Sequence, residues 1–246
     1  MSVRERRFAR GRHFLRSSAL AAEIVRAAGI APGDVVWDVG AGAGALTAAL
    51  VRAGAETIAI ELDPLLASRL HERFEHVVEA DALTVPLPRE PFRVVANLPF
   101  AIGTAMLRRL LRPEAPLVSA DVIVDWRLAE KRAAVWPSTR LGVEWSAWFS
   151  LEVARRLPRC CFAPSPSVDA AVLRATRRDE PLVTAAEAAR YRRFLDRGFR
   201  DGVRAVVRPR TLKRLARDLG FDRTAAPRDL DARQWAVLFA RSTSGR

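Results

Sequence analysis

The stretch Val35-Val36-Trp37-Asp38-Val39-Gly40-Ala41-Gly42-Ala43-Gly44-Ala45 runs from an apolar segment through a glycine loop into an alanine-rich one. A short apolar run bounded by glycine reads as a buried strand over 35–39, and residues 45–53 read as a helix. Glycines at such a junction permit a tight turn and let backbone approach a ligand closely. Gly40, Gly42 and Ala45 satisfy the G-x-G-x-x-G/A spacing of dinucleotide sites, so the loop by itself leaves the ligand open.

The pattern continues outward on both sides. Ser17 or Ser18 can cap a helix running to residue 28, with Gly29 as its stop. Strands are predicted at 57–61, 77–80, 92–96 and 118–124, and helices at 64–74 and 104–111. Strands alternating with helices imply an α/β fold with a parallel, doubly wound sheet. Residues 145–157 and 168–175 read as later strands, separated by the proline-rich loop Phe162-Ala163-Pro164-Ser165-Pro166-Ser167-Val168. Beyond residue 178 the pattern becomes helical, at 185–199, 211–219 and 231–240. The expected organisation is a basic arm over 1–16, a sheet domain over 17–178 and a small helical domain over 179–246.

Composition limits the partners. The chain has 246 residues, half of them hydrophobic, enough for a full core. No apolar run reaches the roughly 18 residues of a membrane span, and the arginine-rich start lacks the apolar stretch of a signal peptide. A soluble, cytoplasmic, monomeric protein is expected, with no membrane contact. Cys160 and Cys161 are adjacent, which fits neither a C-x-x-C motif nor a disulfide framework. His71 and His76 lack metal-ligand spacing, so no metal is expected. The net charge is +13, and only Lys131 and Lys213 among the 41 basic residues are lysines. Codon bias explains arginine over lysine. It does not explain positive over negative charge, for which a polyanionic partner is the simplest reason. Arg4, Arg6, Arg7 and Arg10 stand in the first ten residues. From Arg190 to Arg217 eleven basic residues, including Arg193, Arg197, Arg200, Arg204, Arg208 and Arg210, face two acids, Asp196 and Asp201. Arginine's planar fork suits phosphate, and these ten arginines are the candidate contacts to that polyanion. A solvated helix face is the plainer reading of the same run.

Each strand end carries a chemically pointed residue. Glu61 closes the second strand, 19 residues past Gly42, where its carboxylate can accept from ribose hydroxyls of NAD or of S-adenosylmethionine. Asp81, beside Ala82, follows the third and can accept from an adenine amino group or cap a turn. The fourth ends in Asn97-Leu98-Pro99-Phe100. An amide and a neighbouring carbonyl can accept both N–H bonds of an exocyclic amine, a proline stiffens the turn, and an aromatic ring can stack on a base. An ordinary strand-ending turn could also use Asn and Pro. An NAD enzyme does not require this tetrapeptide, whereas a methyltransferase acting on a nucleobase amine does.

With these motifs the chain resembles the rRNA adenine N6-methyltransferases, and among them the Erm type acting on 23S rRNA. The resemblance runs from about Gly11 to the C-terminus. It rests on Arg12-His13-Phe14-Leu15, the glycine loop, Glu61-Leu62-Asp63, Asp81-Ala82-Leu83, Asn97-Leu98-Pro99-Phe100 and Phe162-x-Pro164-x-Pro166-x-Val168-Asp169. Ala101-Ile102-Gly103-Thr104 and the short length favour the Erm side over the small-subunit rRNA dimethyltransferases. The resemblance implies a Rossmann-like class I methyltransferase sheet with a small C-terminal helical domain. It implies S-adenosylmethionine as cofactor, bound by His13, Leu15, Gly40, Gly42, Glu61, Asp81, Ala82 and Asn97, and 23S rRNA as partner. It also implies macrolide-lincosamide-streptogramin resistance. Arg12-His13 stand where the family usually has Gln-Asn, and Phe100 keeps the stacking face of the tyrosine also common there.

The resulting mechanism has Asn97 and the Leu98 carbonyl holding the target amine while Phe100 stacks on the flipped adenine. Positioning supplies much of the acceleration. Asp81 is assigned to the cofactor, because the amine turns acidic once alkylated and needs no strong base beforehand. The rival readings are a small-subunit rRNA adenine dimethyltransferase, a non-catalytic rRNA-binding assembly factor, and an NAD-dependent oxidoreductase.

Overall fold

The structure is a computed structural model and describes residues 13–243. Arg4, Arg6, Arg7 and Arg10 lie outside the described residues.

Strand β1 (Phe14–Leu15) leads into helix α1 (Ser18–Ala27). The Ser17 hydroxyl caps that helix, accepting from the Leu20 N–H at 3.2 Å. Its buried residues Ala21, Ile24 and Val25 fall at helical spacing. The alternating section follows as β2 (Val35–Val39), α2 (Ala45–Arg52), β3 (Glu56–Glu61), α3 (Pro64–His71), β4 (Val77–Glu79), β5 (Phe92–Asn97), α4 (Gly103–Leu110) and β6 (Leu117–Asp125). Asp63 starts α3 by accepting from the Leu65 and Leu66 N–H groups, with Pro64 preset for the first turn. Neighbouring strands of this section pair in parallel, in the order β4, β3, β2, β5, β6. The chain winds from β2 to one edge and then returns to lay β5 on the other side of β2. Strand order therefore reverses between β2 and β5, which opens a crevice at their C-terminal ends.

The later elements are α5 (Trp126–Ala133), α6 (Arg140–Ser146), β7 (Phe149–Leu157), β8 (Phe162–Ala163) and β9 (Ala170–Arg177). The structure departs from two expectations. The sheet is mixed rather than all parallel. β9 runs antiparallel to β6, from Ser119 opposite Thr176 to Asp125 opposite Ala170, and it lies between β6 and β7 in the strand order. Residues 158–169 contain no α-helix, which a parallel return from β7 would need. The strand expected over 145–157 begins only at Phe149. Thr139 caps the start of α6, accepting from the Gly142 N–H at 3.1 Å, and the helix runs on through residues 145 and 146 to a cap at Ala147. The run Trp145 to Phe149, apolar except for Ser146, has no sustained alternation, and periodicity cannot divide helix from strand inside it. α5 was also missed; the Asp125 carboxylate caps it by accepting from Leu128 N–H at 2.9 Å.

Helices α7 (Ala188–Asp201), α8 (Pro209–Asp218) and α9 (Ala232–Thr243) are the three expected near the C-terminus. α7 buries Tyr191, Leu195 and Gly198. Gly198 is required there, since a Cβ would stand 2.5 Å from the Trp235 ring.

By contact the chain divides into two compact units. One runs to Ala129 and resumes over Val153–Thr176; the other takes Glu130–Glu152 and continues from Arg177. The sequence reading put one boundary at 178/179. Residues 130–152 group instead with the C-terminal helices, because α6 packs on α7 and α9 and Ser138 N–H donates to the Arg228 carbonyl at 2.7 Å. No helix among the described residues is long and apolar enough to cross a membrane.

Candidate active site

The glycine loop after β2 reaches its shape through three left-handed glycines, Gly40, Gly42 and Gly44, with φ of 71°, 57° and 78°. At Gly42 the need is also steric. A Cβ there would lie 2.6 Å from the Phe14 ring, so β1 rests directly on the loop. At Gly40 a Cβ would come within 3.2 Å of Pro99, which packs the end of β5 against the same loop.

Glu61 is buried at the end of β3. One carboxylate oxygen accepts from the Gly42 N–H at 2.8 Å, and the other from Leu62 and Asp63 N–H groups, both at 2.9 Å. Three amides thus fix the carboxylate in a site that would otherwise penalise its charge. Asp81 accepts from the Leu83 N–H at 2.9 Å through its side chain, and its carbonyl accepts from Thr84 N–H at 2.8 Å. The turn-capping role considered for it is therefore real, and it coexists with a place on the cavity wall.

Asn97 ends β5, and its Nδ2 donates to the His13 carbonyl at 2.6 Å. Leu98 is buried, with its N–H donated to the Ile123 carbonyl at 3.1 Å. His13 Nδ1 lies 2.8 Å from the Pro164 carbonyl, and its ring is tilted against Phe100 with centroids 5.5 Å apart.

These residues converge. His13, Gly40, Gly42, Glu61, Asp81, Ala82, Asn97, Leu98, Pro99 and Phe100 line one cavity, with Phe14, Ile60, Leu62, Leu66, Leu83 and Ile102 among its apolar walls. Leu15 does not line it. It packs into the core and faces a smaller adjoining cleft together with Phe14, Asp38 and Asn97. The apolar wall residues carried no sequence signal apart from their closeness to the motifs.

Sequence reasoning gave Asp38 no role. It is buried at the end of β2 and accepts from the Thr47 hydroxyl at 2.6 Å. Burial pushes its carboxyl up to about 7, against the lowering effect of the Thr47 hydrogen bonds and helped by repulsion from Glu61. The signal available was its place, two residues before Gly40 in an otherwise apolar strand.

The expected RNA-contacting arginines within the described residues, Arg193, Arg197, Arg200, Arg204, Arg208 and Arg210, are all exposed. They belong to the C-terminal unit. Arg193, Arg197 and Arg200 share one face of α7 at spacings of four and three. Arg200 is paired to Asp201 at 3.0 Å, whereas Arg193, Arg197, Arg204 and Arg210 make no ion pair among the described residues. Trp126 is half-buried, with the Arg156 guanidinium 4.7 Å over its ring.

Comparison with known proteins shows the family. Residues 3–208 match the family described as Ribosomal RNA adenine dimethylase. The mycinamicin-resistance protein MyrB of Micromonospora griseorubida is 33% identical over 93% of this chain and 76% of its own length. An rRNA adenine N-6-methyltransferase of Bacillus licheniformis is 28% identical over 93% of this chain and 84% of its own. The crystal structure of the 23S rRNA methyltransferase ErmE superposes with a TM-score of 0.83 at 30% identity, covering 93% of this chain and 98% of that one.

Proposed function

The chain belongs to the ribosomal RNA adenine dimethylase family, and we propose that it methylates N6 of an adenine in 23S rRNA with S-adenosylmethionine as donor. The product is ribosomal RNA resistant to macrolide, lincosamide and streptogramin antibiotics. The reaction takes place in the cytoplasm, on RNA held through exposed arginines.

The observation that carries this reading is the meeting of Asn97, Leu98, Pro99 and Phe100 with Glu61 and Asp81 around one cavity. The residues fit the cofactor. Glu61 is a buried carboxylate already oriented by three amides, suited to ribose hydroxyls. Asp81 and Ala82 line the same cavity among apolar side chains, and the Asp81 carboxylate is suited to accept from an adenine amino group. Gly40 and Gly42 line the same cavity and let backbone approach the ligand closely. When bound, S-adenosylmethionine supplies a methyl group made electrophilic by its sulfonium.

The target amine is a poor nucleophile because its lone pair is delocalised into the purine. Asn97 Oδ1 and the Leu98 carbonyl accept its two N–H bonds and favour a more tetrahedral nitrogen. Pro99 stiffens the turn that presents these acceptors. Phe100 stacks on the extrahelical base in place of its lost neighbours. The protein's work is therefore orientation, the effect that fixed reacting groups deliver most strongly.

The test incubates the purified protein with methyl-labelled S-adenosylmethionine and protein-free 23S rRNA, then digests the RNA to nucleosides. The expected product is N6-methyladenosine or N6,N6-dimethyladenosine, together with raised macrolide tolerance in a susceptible host expressing the chain. Absence of label, with cofactor binding verified by calorimetry, would overturn the proposal.

A further inference from the structure

The Asn97 amide can present only one of its ends to the cavity. Its contact at 2.6 Å is with the His13 carbonyl. A carbonyl oxygen only accepts, so Nδ2 must face residue 13 and Oδ1 must face the other way. Whatever fixes the His13 carbonyl therefore fixes the direction of the Asn97 acceptor.

That carbonyl is held from several sides. β1 pairs antiparallel with β8, Phe14 opposite Ala163 and Leu15 opposite Phe162. Beyond the pair, Arg16 N–H donates to the Cys161 carbonyl at 2.9 Å. At the other end His13 Nδ1 meets the Pro164 carbonyl at 2.8 Å. This contact requires a proton on Nδ1, which the imidazolium and one neutral tautomer both carry. Between these anchors the Phe14 ring sits on Gly42, where a Cβ would approach to 2.6 Å. Residues 13–16 thus form a strap tied to the proline-rich loop and pressed against the glycine loop.

We infer that His13 is a positioning residue: its side chain ties the strap to Pro164, and its main-chain carbonyl turns the Asn97 amide so that Oδ1 receives the target amine. The inference rests on the reading of Asn97 as that acceptor. It gives the departure at residue 13 a physical sense. A histidine there keeps an N–H donor for Pro164 while the backbone, which any residue supplies, serves Asn97. It also separates His13 from a role as a ligand of the methyl donor, because such a ligand would alter donor affinity, whereas an orienting residue alters turnover.

The experiment compares wild type, His13→Ala and His13→Asn. The side-chain amide of Asn97 is observed by 15N NMR in the protein without ligands. Cofactor affinity is measured by calorimetry, and kcat on 23S rRNA at saturating cofactor. In wild type one Asn97 side-chain proton should be displaced downfield and slow to exchange. His13→Ala should lose that signature and lower kcat about 10- to 100-fold, the scale of a small misplacement of a reacting group, with cofactor Kd changed less than about threefold. His13→Asn, which keeps a side-chain donor, should restore both. The inference is overturned if wild type shows no protected Asn97 proton, a result independent of whether any variant folds. It is also overturned if His13→Ala keeps full kcat, or loses cofactor affinity in parallel with an unchanged amide signal. Failure of wild type to methylate 23S rRNA would instead overturn the proposed function, leaving the amide measurement readable.

Discussion

The crevice between β2 and β5 and the arginine-bearing face of α7 use charge in opposite ways. In the crevice each functional polar group is answered by backbone: Glu61 by three amides, Asn97 by one carbonyl, Asp81 by its own turn. On α7, Arg193 and Arg197 stand exposed with no ion pair among the described residues. The first arrangement fixes direction and tolerates little change. The second supplies net positive charge and tolerates substitution of any one member. Selectivity for an atom requires the former, and affinity for a polyanion requires only the latter.

The sharpest way to break this contrast is Asn97→Ala. Turnover on 23S rRNA should fall about 10³-fold, the scale seen when an oriented hydrogen-bonding group is deleted from a reacting centre. Cofactor affinity should stay within a few-fold, and equal turnover would sink the assignment. Next in size is Gly42→Val. It meets the Phe14 ring at a φ of 57° that a β-branched residue avoids. We expect loss of measurable cofactor binding and destabilisation of roughly 2–4 kcal/mol, read by calorimetry and chemical denaturation.

On the other side of the comparison, replacing Arg193, Arg197 and Arg200 together with glutamine should weaken RNA binding without changing kcat at saturating RNA. The slope of log affinity against log salt should flatten by about 2 to 3. An unchanged slope would mean that this face is merely solvated. The smallest effect concerns Asp38. Its folded carboxyl titrates at about 7 against an ordinary 3.8, so the folded state holds the extra proton between those values. Stability therefore falls as pH rises through that window, and the cost is complete above it. Asp38→Asn keeps an acceptor for the Thr47 hydroxyl and removes the ionisation. Its stability relative to wild type should improve from pH 5 to pH 8, by on the order of 1–3 kcal/mol, measured by denaturation at both pH values. A constant difference would show that Asp38 does not titrate there.

Much of this was legible along the chain. Val35–Val39 and the glycine loop announce themselves by an apolar run meeting left-handed positions that only glycine occupies cheaply. Glu61 and Asn97 were legible because parallel strands bring their C-terminal ends to one edge, and the alternation of elements implies parallel strands. The reading failed where the signal was not periodic. Trp145 to Phe149 carries one polar residue, Ser146, and no sustained alternation, so the boundary between α6 and β7 is set by the helix end, where Ala147 N–H donates to the Glu144 carbonyl at 3.2 Å, rather than by pattern. β1 and β8 are two residues each, too short for a period, and exist only because they pair with one another.

The sequence by itself determined the alternating sheet, the glycine loop, the residues at the strand ends and the excess of positive charge, because each depends on local pattern or composition. Only the tertiary structure decided that β9 runs antiparallel beside β6, that Asp38 is buried enough to hold its proton near neutrality, and that the strap at residues 13–16 turns the Asn97 amide. These depend on groups far apart in the chain, His13 and Asn97 84 residues apart and His13 and Pro164 151 apart. No local period records such a meeting; it appears only when the sheet closes and brings these donors to carbonyls remote in the chain.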